Sequence, residues 1–141
     1  MVSDGTNVWV TNFGDNTVTK LRPSDGKVLG VFHVGSGPTD AAFDGANIWV
    51  TNQGGNSVTK LRASDGVVVG TFTVGLRPAG LVFDGAAIWV ANFASNTVTK
   101  LRASDGMVLG TFKVGSGPDV VLFDGANVWV TNNSDNTASK L

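Results

Sequence analysis

Cysteine, tyrosine and glutamate are all absent from this sequence of 141 residues. Without cysteine, the chain can form no disulfide and can use no thiolate chemistry. All eleven acidic residues are aspartates, and 19 residues are glycine. Aspartate and glycine favour turns, whereas the missing glutamate is a helix former. Composition alone therefore disfavours a helical protein.

The sequence also lacks an excess of positive charge and any long apolar run. Ten lysines and arginines oppose the eleven aspartates, for a net charge of −1. A surface for nucleic acid or an anionic membrane needs a positive excess. No apolar run approaches the roughly 20 residues of a membrane span, and no segment has the pattern of a signal peptide. We therefore expect neither nucleic acid nor membrane as a partner, and the sequence leaves localisation undefined.

What the sequence does contain is a repeat of forty residues. Its four tryptophans are spaced forty apart, and residues 41–80 and 81–120 are identical at 25 of 40 positions. Such near-identity is typical of a recently amplified gene or of an engineered protein. The chain divides into units 1–40, 41–80 and 81–120 and a half unit 121–141, which together form one domain.

Each unit has the pattern of four short strands. In the second unit these are "PTDAAFD", "NIWVTN", "SVTKLR" and "VVVGTFTV", with Asp-Gly turns after the first and third. Alternation places Val68, Gly70, Phe72 and Val74 on one face of the last strand. No helical period is present. Four-stranded antiparallel units repeated in tandem predict an all-β fold, a β-propeller in which each unit is one blade.

The units resemble YVTN-type propeller repeats, named for a motif in the second strand. That motif appears here as "WVTN" three times and as "WVAN" at 89–92, and the downstream "VG-x-x-P" appears as "VGSGP" and "VGLRP". The resemblance covers the whole chain, with Trp in place of Tyr. It implies a propeller like those of bacterial or archaeal secreted and cell-surface proteins. A neighbouring group with similar blades includes virginiamycin B lyase.

Three functions remain open from these observations. A non-enzymatic scaffold or binding module is the preferred interpretation, and a lyase or a sugar-binding lectin are the alternatives. By resemblance, the lyase group uses a histidine and acid cluster with a divalent metal. The single histidine, His33, has no evident partner for general-base chemistry. We therefore expect no catalytic residue, no metal and no cofactor.

Two sets of repeated residues are candidates for the blade core and for charge pairing. The tryptophans could stack on sugars, but apolar neighbours on both strand faces favour a core that fills the gaps between blades. These residues are Trp9, Trp49, Trp89 and Trp129. The repeated lysines and arginines, such as Lys60 and Arg62, are expected to pair with aspartates such as Asp65 or to be solvated.

The variable residues lie in loops, where propellers usually carry ligands. The loop after the second strand changes from unit to unit while the strands repeat. Its first residues, Phe13, Gln53, Phe93 and Asn133, are therefore the candidate ligand-binding positions. The alternative is neutral variation at unconstrained positions.

Both ends of the repeat are incomplete. The chain starts inside a first strand and stops at Leu141, before a fourth strand of the last unit. Counting well-formed strands gives three, four, four and three. Open edges of this kind recruit further strands. We therefore expect a homo-oligomer, with a two-chain ring of eight blades ranked above seven or six.

Overall fold

Antiparallel strands make up all the regular structure of the chain. A computed structural model describes all residues from 1 to 141, and it contains fifteen strands in four sheets. No helix long and apolar enough to cross a membrane is present. The predicted all-β fold of four-stranded blades is confirmed.

Three sheets have four strands each, and every strand pairs with its neighbours in chain order. Blade 1 comprises β1 (Val2–Ser3), β2 (Val8–Asn12), β3 (Thr17–Leu21) and β4 (Val28–His33). Blade 2 comprises β5 (Pro38–Phe43), β6 (Asn47–Asn52), β7 (Ser57–Arg62) and β8 (Val68–Thr73). Blade 3 comprises β9 (Pro78–Phe83), β10 (Ala87–Asn92), β11 (Thr97–Arg102) and β12 (Val108–Lys113).

Blade 4 has only three strands, β13 (Pro118–Phe123), β14 (Val128–Asn132) and β15 (Thr137–Lys140). The structure therefore has four, four, four and three strands, one more in the first unit than the three well-formed strands counted from the sequence. The additional strand, β1, is the incomplete first strand expected at the start of the chain, and its two residues pair with Trp9 and Val8 of β2. So short a strand has too few residues to show an alternating pattern.

The first strands of successive blades contact one another and form the inner edge of the array. Contacts join β1 to β5, β5 to β9 and β9 to β13. Blade 4 makes no comparable contact with blade 1. The four blades therefore form an open arc with a free blade face at each end.

The core consists of three clusters, one at each junction between blades. At the first junction, Trp9 and Val18 of blade 1 pack against Ile48, Val50 and Leu61 of blade 2. The other two junctions repeat this arrangement. Because every core cluster is shared by two blades, no blade could bury its apolar faces alone.

A bulge near the start of each fourth strand places the first valine of that strand on the face opposite to the predicted one. In blade 2, Lys60 is opposite Gly70, but the next residue, Leu61, is opposite Val68 rather than Val69. Val68 therefore lies on the face opposite to Gly70 and Phe72, contrary to the alternation read from the sequence. The extra residue, Val69, is half exposed at the outer edge.

Candidate functional site

The tryptophan of each second strand faces the following blade. Trp9 and Trp49 are fully buried and Trp89 is 8% exposed, whereas Trp129, which has no blade beyond it, is 39% exposed. A sugar ring therefore has no access to the first three indole faces. Their position at the junctions makes them the main filling of the interblade gaps.

An aspartate in the turn before each second strand fixes the orientation of the indole. The Nε1 of Trp49 donates to Oδ2 of Asp44 at 2.7 Å, and the backbone N–H groups of Ala46 and Asn47 donate to Oδ1 at 2.9 and 2.7 Å. Burial by itself would raise the pKa of Asp44. The hydrogen bonds from Trp49 and the two backbone groups outweigh burial and hold that pKa below its ordinary value.

Two of the repeated lysines, Lys20 and Lys60, join one blade to the next, contrary to the predicted pairing with aspartate or solvent. Nζ of Lys60 donates to the carbonyl oxygens of Ala103 and Ser104 at 2.7 and 3.2 Å and lies 4.9 Å from the ring centroid of Trp49. Only 4% of Lys60 is exposed. Lys20 makes the same contacts with blade 2. The acceptors lie about 43 residues away, so sequence neighbours could not reveal them.

The repeated arginines do pair with aspartates three residues later. The pairs are Arg22 with Asp25, Arg62 with Asp65 and Arg102 with Asp105, at 3.3, 2.8 and 3.0 Å. All six side chains are exposed, so these pairs contribute little to stability. They leave no ring of unpaired cations that an acidic ligand could use.

The threonine and asparagine of the "WVTN" motif also form hydrogen bonds that hold the fold together. Oγ1 of Thr51 donates to the carbonyl oxygen of Ala79 in the next inner strand at 2.8 Å. Nδ2 of Asn52 donates to Ser57 and Thr59 of the neighbouring strand at 3.1 and 2.8 Å. The threonine thus connects blades and the asparagine connects strands. Sequence reasoning missed both roles, although their repetition was a signal that could have indicated them.

The four predicted ligand-binding residues lie at the same end of the molecule but in separate loops. Phe13 is 58% exposed, Asn133 is exposed, and Gln53 and Phe93 are half-buried. The structure does not gather them into one pocket. Gln53 alone lines a cavity of about 270 Å³, whose wall also contains Thr39, Asp40 and Asp119.

Three of these loop residues are held by the preceding interblade segment. The backbone N–H groups of Gln53, Phe93 and Asn133 donate to the carbonyl oxygens of Gly37, Arg77 and Gly117, respectively, at 2.8, 3.0 and 2.8 Å. The guanidinium of Arg77 also lies 5.5 Å from the ring centroid of Phe93. These contacts give the loops a structural role at each junction.

The single histidine lies apart from these groups. His33 is exposed on β4, opposite Thr17. No group of three or more histidine and aspartate side chains is placed to hold a metal ion.

Two free faces remain at the ends of the arc. The Trp129 face consists of Leu122, Trp129 and Lys140, with Leu122 60% exposed. The Val10 face of blade 1 consists of Val8, Val10 and Leu21, all half-buried. The residues equivalent to Val10 in the other blades are 0–1% exposed, because a preceding blade covers them.

Solved structures with the same chain path are β-propeller proteins. Hydrazine synthase of Kuenenia stuttgartiensis superposes with a TM-score of 0.85 at 23% identity over 92% of this chain and 39% of its own. A catalytically inactive virginiamycin B lyase from Staphylococcus aureus, crystallised with quinupristin, superposes with a TM-score of 0.82 at 21% identity over 96% of this chain and 48% of its own.

The computationally designed Ika4 protein also superposes with a TM-score of 0.85, at 15% identity over 96% of this chain and 84% of its own. The chain is an incomplete β-propeller. At these identities the likeness shows the fold alone, and the chain spans less than half of the hydrazine synthase and lyase chains. No family model matches the sequence, and neither does any curated protein. The resemblance to YVTN repeats therefore stays a prediction.

Proposed function

We propose that the chain is a non-enzymatic β-propeller scaffold that associates with a second copy of itself to complete its ring. The observation that carries this proposal is the pair of complementary free faces. A tryptophan equivalent to Trp129 fills every internal junction, where it packs against the residue equivalent to Val10 in the next blade. Lys20, Lys60 and Thr51 already hold neighbouring blades together through hydrogen bonds, which supports a scaffold role.

The contacts of the internal junctions define how the two faces meet. Lys20 and Lys60 reach carbonyl oxygens 43 and 44 residues further along the chain. In the ring, blade 1 of a second copy follows blade 4. Pro23 and Ser24 are the blade 1 equivalents of Ala63 and Ser64, so Lys140 reaches the carbonyl oxygens of Pro23 and Ser24 in that copy. Each copy provides one face of each kind, so two copies close the ring through two equivalent junctions. The result is eight blades with a mass of about 29 kDa, twice 14.5 kDa.

Light scattering coupled to size exclusion tests the association. We expect a mass of about 29 kDa that persists on dilution. Trp129→Ala removes the filling side chain, and Val10→Asp places a charge in the receiving face, so each should weaken the dimer at least tenfold. Phe13→Ala is the matched control, because Phe13 is an exposed aromatic outside both faces. A 14.5 kDa monomer at all concentrations would overturn the proposal.

The enzymatic alternative is tested separately. Likeness to the lyase crystallised with quinupristin makes that compound the appropriate substrate. We expect no conversion of quinupristin by the chain, with or without a divalent metal, as followed by mass spectrometry. Metal-dependent conversion of quinupristin that is lost in His33→Ala would show that the chain is an enzyme and would overturn the scaffold proposal.

The lectin alternative rests on the exposed rings of Phe13 and Trp129. A glycan array tests it, and we expect no bound sugar. Specific binding that Phe13→Ala abolishes would favour the lectin.

A further inference from the structure

The link between blades 2 and 3 differs from the other two links of the chain. It reads "VGLRP" at 74–78, whereas the links at 34–38 and 114–118 both read "VGSGP". Leu76 and Arg77 therefore occupy the positions that serine and glycine have in the other links. A large apolar side chain and a positive charge are thus added at this one place between blades.

The backbone of Arg77 has a conformation that its side chain disfavours. Its φ is 51°, and the equivalent residues Gly37 and Gly117 have φ of 62° and 65°. Every other residue of the chain with a positive φ is glycine or asparagine. In this region the Cβ of other residues is crowded by the backbone. Strain at a residue where glycine would fit is a reason to look for a function of the side chain.

The backbone contacts of the link do not need an arginine. The N–H of Arg77 donates to Oδ1 of Asn56 at 2.9 Å, and its carbonyl oxygen accepts from the N–H of Phe93 at 3.0 Å. Gly37 and Gly117 form the same two bonds with the equivalent residues at 2.8–2.9 Å. Glycine therefore serves the fold equally well at this position.

The guanidinium of Arg77 is positioned but has no anionic partner. It lies 5.5 Å from the ring centroid of Phe93, and its side chain donates no hydrogen bond within the chain. The other three arginines, Arg22, Arg62 and Arg102, each pair with an aspartate. Stacking on an aromatic face holds the plane of a guanidinium and leaves its N–H groups free to donate. Arg77 is therefore a free cation in a prepared orientation.

Apolar surface lies directly beside this cation. The side chain of Leu76 is 55% exposed, and the ring of Phe93 is half-buried. The backbone of Leu76 is held in place, because its N–H donates to Oγ of Ser95 at 3.0 Å and its carbonyl oxygen accepts from the N–H of Ala94 at 3.1 Å. We call Leu76, Arg77 and Phe93 the Arg77 cluster.

The chemistry of the Arg77 cluster matches a carboxylate attached to an apolar group. A guanidinium can donate two parallel hydrogen bonds to one carboxylate. The single charge of Arg77 balances a carboxylate, whereas a phosphate group carries nearly two negative charges. Because Leu76 and Phe93 adjoin the guanidinium, the apolar group of the ligand must lie close to its carboxylate. The last residue of a peptide meets this condition, since its side chain and its carboxylate are bonded to the same carbon.

We propose that the Arg77 cluster binds the C-terminal carboxylate of a peptide whose last side chain is apolar. The carboxylate pairs with Arg77, and the apolar side chain packs against Leu76 and Phe93. The site lies within the link between blades 2 and 3 and does not depend on the two-chain ring. It also gives a ligand class to Phe93, one of the loop positions that the sequence indicated.

N-acetyl-leucine, which mimics such a C-terminus, tests the site by two-dimensional amide NMR of the isotope-labelled chain. We expect saturable shifts of the amides of Leu76, Arg77 and Phe93, with a dissociation constant in the millimolar range expected for so small a ligand. N-acetyl-leucinamide lacks the charge and acetate lacks the apolar side chain. Each should bind at least tenfold more weakly, because each keeps only half of the contacts.

Arg77→Gly is the decisive variant, because it restores the residue of the other two links. It should weaken binding of N-acetyl-leucine at least tenfold while leaving the chain at least as stable to urea as the parent, since glycine relieves the strained φ. The lost binding then cannot come from unfolding. Leu76→Ser likewise restores the residue of the other links and should weaken binding. Arg62→Ala is the matched control and should leave binding unchanged, because Arg62 is paired with Asp65.

Three results would overturn this inference. One is equal binding of N-acetyl-leucine and N-acetyl-leucinamide, or no saturable shift with either. Another is an Arg77→Gly chain that is less stable than the parent and binds as the parent does, which would assign Arg77 to the fold. The third is tighter binding of N-acetyl-aspartyl-leucinamide than of N-acetyl-leucine, which would replace the peptide C-terminus by an acidic side chain as the ligand. A monomer that binds N-acetyl-leucine as expected would support the site while overturning the two-chain ring.

Discussion

Asn56 has a backbone conformation that asparagine and glycine tolerate better than other residues. Its φ is 49°, in the left-handed region, and its Oδ1 accepts a hydrogen bond from the backbone N–H of Arg77 at 2.9 Å. Asn56→Gly keeps the conformation and loses the hydrogen bond. Asn56→Ala loses the bond and adds strain, so it should cost about 1 kcal/mol more than the glycine variant. Urea unfolding of both variants measures this difference.

Asn136 provides the control for the hydrogen bond. Its φ is 55°, but its side chain lacks the backbone N–H donor that Asn16, Asn56 and Asn96 each have. Asn136→Gly should therefore leave the free energy of unfolding nearly unchanged, whereas Asn56→Gly should lower it by about 1 kcal/mol. Equal effects at the two positions would show that the bond to Arg77 contributes nothing to stability.

The carboxylate of Asp44 should make stability depend on pH. Its pKa is lowered in the folded chain, so the folded state binds fewer protons than the unfolded state in acid. The stabilisation is therefore present above the ordinary aspartate pKa of roughly 4 and is lost as the pH falls below it. We expect Asp44→Asn to be less stable than the parent chain at pH 6. The deficit should shrink towards pH 2.

Urea midpoints at pH 6, 4 and 2 measure this effect. Asp15→Asn is the control, because the carboxylate of Asp15 is exposed and accepts no hydrogen bond, whereas that of Asp44 accepts bonds from Trp49 and two backbone groups. A deficit for Asp44→Asn that stays constant across this range would mean that the charge of Asp44 does not support the fold.

The contribution of packing between blades to stability can be measured by comparing substitutions at Gly66 and Gly26. The two glycines occupy the same turn in successive blades, with φ of 76° and 71°. A Cβ on Gly66 would overlap the ring of Phe32 from the preceding blade, whereas a Cβ on Gly26 would meet nothing within 4 Å. The strain of the backbone is the same in both cases. Gly66→Ala should therefore cost about 1–3 kcal/mol more than Gly26→Ala, the usual range for overpacking.

Thermal or urea unfolding of the two variants measures the difference. The stability lost in Gly66→Ala should be recovered in part by Phe32→Leu, which makes room for the added methyl group. If Gly66→Ala and Gly26→Ala have equal stability, the packing of Phe32 on the next blade does not hold the junction together.

The strands were predictable from sequence, but the polar contacts between blades were not. Alternating apolar residues and Asp-Gly turns predicted β6 and β7 at the bounds that the structure shows. The bulge at Val69 was missed, because it does not change the local pattern of residue types. The role of Lys60 was missed because its acceptors, the carbonyl oxygens of Ala103 and Ser104, lie in the next blade. Local sequence determines strands, whereas the junctions depend on residues one repeat apart.

At the scale of the whole molecule, the four blades differ in how many of their faces are covered. Blades 2 and 3 are packed on both faces, and their second strands, β6 and β10, are buried along almost their entire length. Blades 1 and 4 each have one free face, and β15 is largely exposed. In repeat architectures, stability is approximately a sum over units and their nearest-neighbour interfaces. Blades 1 and 4 should therefore open more often than the two central blades.

Amide hydrogen exchange of the dilute chain measures this opening. We expect the slowest exchange in β6, β7, β10 and β11 and exchange at least tenfold faster in β14 and β15, because opening the last blade breaks one junction instead of two. Raising the protein concentration should slow exchange in β2 and β14 if the Val10 and Trp129 faces meet between copies, and it should leave β6 and β10 unchanged. Uniform exchange across all four blades would show that the chain unfolds as a single cooperative unit, so that the free faces at its ends impose no local weakness.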